Sequence, residues 1–201
     1  YFDVAALSIA IGKSGRTARF LGKKEVFDAP IVGPIAAAMG GIRVDRGTGS
    51  DEPLKAAIEA LKGGEMVSIM PEGTIPRGPA FFETKLKGRW GAAQLARDTG
   101  ATVIPIGLWG TEKVWPRSSR LPKVLNFTDP PTVRIRVGQP VDLKGKSVDA
   151  DTKRIMKAIM AELPDEASET KSPTADELAL TYPPGYSSDP TGESDRRPGV
   201  D

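Results

Sequence analysis

Neither cysteine nor histidine occurs among the 201 residues. The first absence excludes disulfides, thiolate nucleophiles and thiolate zinc sites, and the second removes the commonest transition-metal ligand, so no metal site is expected. No run of 18 or more apolar residues is present, so no membrane-spanning helix is expected. A Gly-x4-Gly-Lys-Ser/Thr run is also missing, which argues against a P-loop nucleotide site. The basic residues are scattered without interleaved aromatics, which argues against a nucleic-acid partner. The length suffices for one domain with a sizeable core and a tail.

The formal net charge of +2 conceals an asymmetry. From Pro164 onward there are nine acidic and three basic residues, against 17 acidic and 25 basic before it. A basic body suits phosphates or an anionic lipid surface, although a solvated surface also accounts for many of its charges. Beyond Pro164, Pro, Ser, Thr, Asp and Glu dominate. That composition buries too little apolar area to offset chain entropy, so residues 164–201 are expected to form a disordered tail behind a domain spanning residues 1–163.

Within the domain, strand-like and helix-like segments alternate, which predicts an α/β layered fold with a mixed, partly open sheet flanked by helices. Asp3–Ile11 reads as a helix closed by Gly12, Thr17–Leu21 as a short strand, and Ile42–Asp45 as another. A helix follows, with Pro53 in its first turn, Leu54, Ile58 and Leu61 on one stripe, and Gly63-Gly64 as its stop. Met66–Met70 reads as a strand inside a sheet covered on both faces. Lys87–Thr99 is expected to be helical with Trp90 inward, and Thr102–Trp109 to be a strand with Pro105 at an irregularity. Thr132–Val137 alternates, placing Val133, Ile135 and Val137 on one face. Val148–Leu163 is the last predicted helix.

The most informative segment is Ser68 to Gly78, where an apolar run ends in Pro71-Glu72-Gly73-Thr74 and Arg77 follows. A loop of this kind offers backbone N–H groups, a hydroxyl and a guanidinium, which together suit a phosphate. Pro-Glu-Gly-Thr also makes an ordinary turn, since proline presets φ and glycine accepts a positive φ.

Upstream lies Gly41-Ile42 leading to Arg46, downstream lies Val103-Ile104-Pro105-Ile106, and the chain starts Tyr1-Phe2-Asp3. In this order and spacing, over roughly residues 1–140, these blocks resemble the glycerolipid acyltransferase family that acylates 1-acylglycerol-3-phosphate (lysophosphatidic acid). That family carries His-x4-Asp, a Gly-Ile…Arg block, Pro-Glu-Gly-Thr and an apolar block centred on proline. If Asp3 is the aspartate of the first block, its histidine falls three residues before Tyr1, and the sequence is expected to be a fragment cut inside that motif.

The resemblance implies that this histidine deprotonates the acceptor hydroxyl while Asp3 orients the imidazole; an isolated Asp3 also reads as a helix cap. It assigns Arg46 to the acceptor phosphate, with a surface arginine as the alternative. Glu72, Gly73 and Thr74 would form the acceptor-side wall. The family usually has arginine directly after Pro-Glu-Gly-Thr, where this chain has Ile75, so Arg77 would supply that charge. Lys85 and Lys87 would meet phosphate or donor, or simply be solvated, and Pro105 with its neighbours would shape an acyl channel or a plain core strand. No cofactor is implied; acyl-CoA or acyl-carrier protein is the co-substrate and a lysophospholipid the acceptor. The expected location is peripheral, on the cytoplasmic face of the cell membrane. A different lysophospholipid or polyol acceptor remains open because of Ile75, as does a non-catalytic phospholipid-binding module.

Overall fold

The computed structural model describes residues 2–28, 30, 32–44, 52–119, 121–123 and 128–185. Helix α1 (Asp3–Gly12) is built from good helix formers and carries Asp3 in its first turn, where the helix dipole favours a carboxylate. Gly15 turns the chain at φ 73°, and a short link returns it along α1 as strand β1 (Ala18–Lys23). Two short helices, α2 (Lys24–Asp28) and α3 (Val32–Ala38), cross to β2 (Ile42–Val44). Helix α4 (Glu52–Lys62) then crosses to β3 (Met66–Ser68).

These three strands form a parallel sheet in the order β2-β1-β3, with Leu21 opposite Ile42 and Ala18 opposite Met66. Alternation along β1 sends Ala18 and Phe20 to one face and Leu21 to the other. Leu7 and Ile11 of α1 pack on the first face with Ala18, Phe20, Met66, Ile106 and Leu108. Ile42, Ala57 and Leu95 anchor the second face, joined by Leu21, Leu54 and Val67. Both faces are covered, as expected for a parallel sheet. Among the described residues β3 lies at an edge of this sheet rather than in its interior.

Helix α5 (Gly91–Thr99) ends at Gly100, which takes φ 68°. Strand β4 (Ile106–Trp109), helix α6 (Thr111–Val114) and strand β5 (Arg134–Val137) follow, with β4 and β5 paired antiparallel. Helix α7 (Val148–Ala161) is capped by the Ser147 hydroxyl, which accepts from the Ala150 N–H. The architecture is mixed α/β with small sheets flanked by helices, as the alternating pattern predicts.

Three details differ from the sequence reading. The helix expected from Lys87 begins at Gly91, because the Arg89 N–H donates to the Pro71 carbonyl at 2.7 Å instead of continuing a helical ladder. Trp90 is in consequence 53% exposed and does not point inward. Strand β4 begins at Ile106; Pro105 is buried just ahead of it, and its carbonyl accepts from the Gly138 N–H at 2.9 Å. In β5, Val137 is 62% exposed, because α7 reaches β4 instead: a Cβ on Gly107 would stand 2.4 Å from the Glu162 carbonyl oxygen.

Past Pro164 the chain is ordered where composition predicts disorder. Residues Asp165–Ser168 form a 3-10 turn, and α8 (Ala175–Ala179) carries a capping box between Thr174 and Glu177. Glu166 pairs with Arg134 of β5 at 3.0 Å. The carboxyl groups of both glutamates are held below the ordinary range. A backbone hydrogen bond and then Arg134 are the main causes for Glu166, and hydrogen bonds from Lys171 and then the Thr174 backbone for Glu177. Such a depressed group stabilises the fold at neutral pH, and that contribution is lost as pH falls through its lowered value.

Composition measures apolar area, whereas what returns this segment to the domain is polar: Thr181 is 3% exposed and its hydroxyl accepts from the Gly78 N–H at 2.8 Å. Thr181→Val leaves that N–H without an acceptor and is expected to cost about 1–3 kcal/mol. Melting should then come about 2–10 °C lower in a chain of this length. An unchanged melting temperature by circular dichroism would show that the contact contributes nothing. Residues 186–201 lie outside the described residues.

Candidate active site

The loop after β3 is a tight turn. Pro71 and Glu72 occupy its corners, and the Gly73 N–H donates to the Met70 carbonyl at 3.0 Å. Gly73 takes φ 70°, a conformation strained for any other residue at this position. The local turn reading and the site reading of Pro-Glu-Gly-Thr are therefore compatible. Three longer-range contacts then fix the loop. The Arg89 N–H bonds the Pro71 carbonyl at 2.7 Å, and the Arg89 side chain lies over Gly73 so closely that a Cβ there would be 2.8 Å from its Cδ. Arg117 donates through Nη1 to the carbonyls of Ile75 and Pro76, at 2.9 and 3.2 Å. Thr74 is half-buried, and Arg77 adopts extended backbone ahead of the 3-10 turn Gly78–Phe82, where Thr181 closes the far side.

Asp3 is not the cap of α1. Phe2 holds that position without a side-chain cap, and the Asp3 carboxylate accepts from the Thr111 hydroxyl at 2.7 Å. Thr111 is 8% exposed and opens α6 directly after Gly110, whose φ of 90° turns the chain at the end of β4. From there α6 leads to Trp115 and then to Arg117 on the Pro-Glu-Gly-Thr loop. One segment, residues 110–117, touches Asp3 at its start and the loop at its end.

The parallel strands explain the convergence. Since β1, β2 and β3 run the same way, the loops after β2 and β3 leave the same edge of the sheet, where ligands of open α/β sheets bind. The loop after β2 carries Arg46, which lies outside the described residues. Its neighbour Arg43 is paired with Asp28 at 2.9 Å. Lys85 and Lys87 are exposed. Ile106 packs in the core with Leu7 and Leu108, whereas Ile104 is 43% exposed.

The sequence reading missed Thr111, Arg89 and Arg117. Gly110-Thr111 before a helical turn was the one available signal for the first. Nothing local distinguishes either arginine from a solvated cation. Among the described residues no cluster of three or more carboxylates is placed to hold a metal ion.

A family model described as Acyltransferase matches residues 1–109. The chain is 32% identical over 143 residues to the chloroplastic 1-acyl-sn-glycerol-3-phosphate acyltransferase LPAT1 of Arabidopsis thaliana, covering 70% of this chain and 36% of that protein. It is 31% identical over 129 residues to the chloroplastic enzyme BAT2 of Brassica napus, which bears the same activity name, covering 63% and 35%. The chain thus spans about a third of the length of these curated relatives. Among solved structures it is similar to the 1-acyl-sn-glycerophosphate acyltransferase PlsC of Thermotoga maritima. That match has a TM-score of 0.49 and 24% identity, over 78% of this chain and 59% of that one.

Proposed function

The chain belongs to the acyltransferase family, and from that premise we propose that it carries the acceptor-binding part of a 1-acylglycerol-3-phosphate O-acyltransferase, with its domain extending past Pro164 to Thr181. The observation that carries the reading is the 110–117 segment, which ties Asp3 to the Pro-Glu-Gly-Thr loop. Asp3, held at one oxygen by Thr111, orients and charges against an imidazole supplied five residues before it, three ahead of Tyr1. That imidazole removes the proton of the acceptor hydroxyl as its oxygen attacks the donor thioester carbonyl. The tetrahedral oxyanion collapses, the C–S bond breaks, the thiolate takes the proton, and an ester and a free thiol result.

The acceptor phosphate is held by Arg46 and by the loop, where Gly73 allows close backbone approach and Thr74 offers its hydroxyl. Arg77 adds charge two positions after Ile75. Glu72 faces the glycerol hydroxyl groups or steadies Arg46. The donor is an acyl-CoA or an acyl-carrier protein. Among the described residues no helix is long and apolar enough to cross a membrane. The exposed Val4 and Ile9 of α1 and the basic body support peripheral contact with an anionic cytoplasmic leaflet.

The test is thiol release from acyl-CoA with lysophosphatidic acid, on a polypeptide continuing upstream of Tyr1 through the histidine and, in parallel, on the 201 residues alone. Turnover by the longer form only, lost when that histidine is replaced, is the expected result. Equal turnover by both refutes the histidine mechanism. Turnover of another lysophospholipid or a polyol in preference would follow from Ile75 and replace the acceptor. Phospholipid binding without any turnover would make the domain a binding module.

A further inference from the structure

We propose that the Arg89 guanidinium is an anion ligand of this site, gripping a phosphate group side-on through Nε and Nη2; the assignment of that phosphate to a substrate rests on the acyl-transfer reading above. Both atoms are buried, and neither has a hydrogen-bond partner among the described residues. They are also the two nitrogens whose N–H bonds run parallel along one edge of the guanidinium. That edge is the one that meets two oxygens of a phosphate or carboxylate at once. A buried cation donor left unmatched is costly, and the cost is largest for a charged group, so a fold that keeps this edge dry and unpaired implies an anion to complete it.

The other described arginines with polar contacts are differently engaged. Arg19, Arg43, Arg134 and Arg154 each lie within 4 Å of a carboxylate, at 3.5, 2.9, 3.0 and 3.8 Å. Arg117 holds two loop carbonyls. Arg89 is instead locked to the Pro-Glu-Gly-Thr turn. Its own N–H bonds Pro71, and the missing side chain of Gly73 makes room for its Cδ and Nε, which would otherwise stand 2.8 and 2.9 Å from a Cβ. From below, Gly88 is pressed against Met156 of α7, where a Cβ would lie 2.6 Å from Cγ and Sδ. The side chain is therefore positioned before any ligand arrives. Ile75 contributes no charge to the same turn, and Arg89 supplies it from a different part of the sequence.

The phosphate could come from the head group of the acceptor or from the donor's nucleotide or phosphopantetheine. Equilibrium binding of glycerol 3-phosphate and of CoA to the extended polypeptide separates these sources and does not depend on turnover. Arg89→Gln should weaken one of the two probes by about tenfold to a hundredfold, the usual range for a lost charged hydrogen bond. Arg89→Lys should recover only part of that loss, since an ammonium cannot grip side-on. A loss confined to glycerol 3-phosphate assigns Arg89 to the acceptor, and a loss confined to CoA assigns it to the donor. Affinity for both probes within twofold of the parent overturns the proposal. If Arg89→Gln does not fold, Arg89→Lys decides: unchanged affinity overturns the proposal, and a fall of about fivefold or more sustains it. Arg89-dependent phosphate binding in a protein without turnover would sink the acyl-transfer reading and leave this one standing.

Discussion

Asp3→Asn is expected to lower kcat/KM about 10³- to 10⁴-fold in the polypeptide that continues through the upstream histidine, while melting stays within about two degrees of the parent. The substitution is nearly isosteric. The amide oxygen still accepts from the Thr111 hydroxyl, and the first turn of α1 keeps its shape. What is lost is the negative charge that fixes the imidazole tautomer and stabilises the imidazolium formed when the acceptor hydroxyl is deprotonated. In the serine hydrolase triad the same change at the orienting aspartate costs about 10⁴ with the geometry intact.

Thr111→Val is the companion test. It removes the 2.7 Å hydrogen bond that aims the carboxylate but leaves the charge, and the expected loss is about tenfold. In the Asp3→Asn background, removing Thr111 should cost much less, because the two act through one imidazole. Full activity of Asp3→Asn would show that Asp3 only begins a helix.

Asp151→Ala should be the most destabilising single change in the described fold, at about 3–5 kcal/mol, read as a melting temperature lower by about 6–20 °C. Asp151 is 0% exposed in the first turn of α7. Its Oδ1 accepts from the Lys144 N–H and its Oδ2 from the Gly145 N–H, both at 3.1 Å. Gly145 takes φ 63°, so the two amides converge on the carboxylate as a small cradle. Arg154 lies one turn on at 3.8 Å, the opposite charge that a buried carboxylate requires.

Truncation to alanine strands two backbone donors and the Arg154 guanidinium and opens a void. Asp151→Asn keeps one acceptor and should cost less than half as much. The consequence reaches the site, because Met156 of the same helix supports Gly88 and hence the position of Arg89. A melting curve unchanged by Asp151→Ala would mean that the amides find water and that the carboxylate is dispensable.

The sequence by itself determined what depends on neighbours along the chain. Pro71 and Gly73 specify the turn, Gly12, Gly63-Gly64 and Gly100 end helices, and the stripe Leu54, Ile58, Leu61 specifies the buried face of α4. The alternation of strands and helices gave the layered α/β fold, since each of these signals acts within a few residues. The blocks containing Asp3, Gly73 and Pro105 were legible as a set, although Arg46 lies outside the described residues.

Only the tertiary structure decided which groups meet. Thr111 bonds an aspartate 108 residues away, and Thr181 an amide 103 residues away in a segment whose composition reads as tail. Local propensity favoured helix at Lys87 to Trp90, but a backbone bond from Arg89 to Pro71 took precedence and swung Trp90 outward. That same bond turned Arg89 from an ordinary surface cation into a buried guanidinium on the Pro-Glu-Gly-Thr loop. A single polar contact across the fold leaves no period or propensity in the sequence, because its partner lies in another element and its geometry exists only once both are packed.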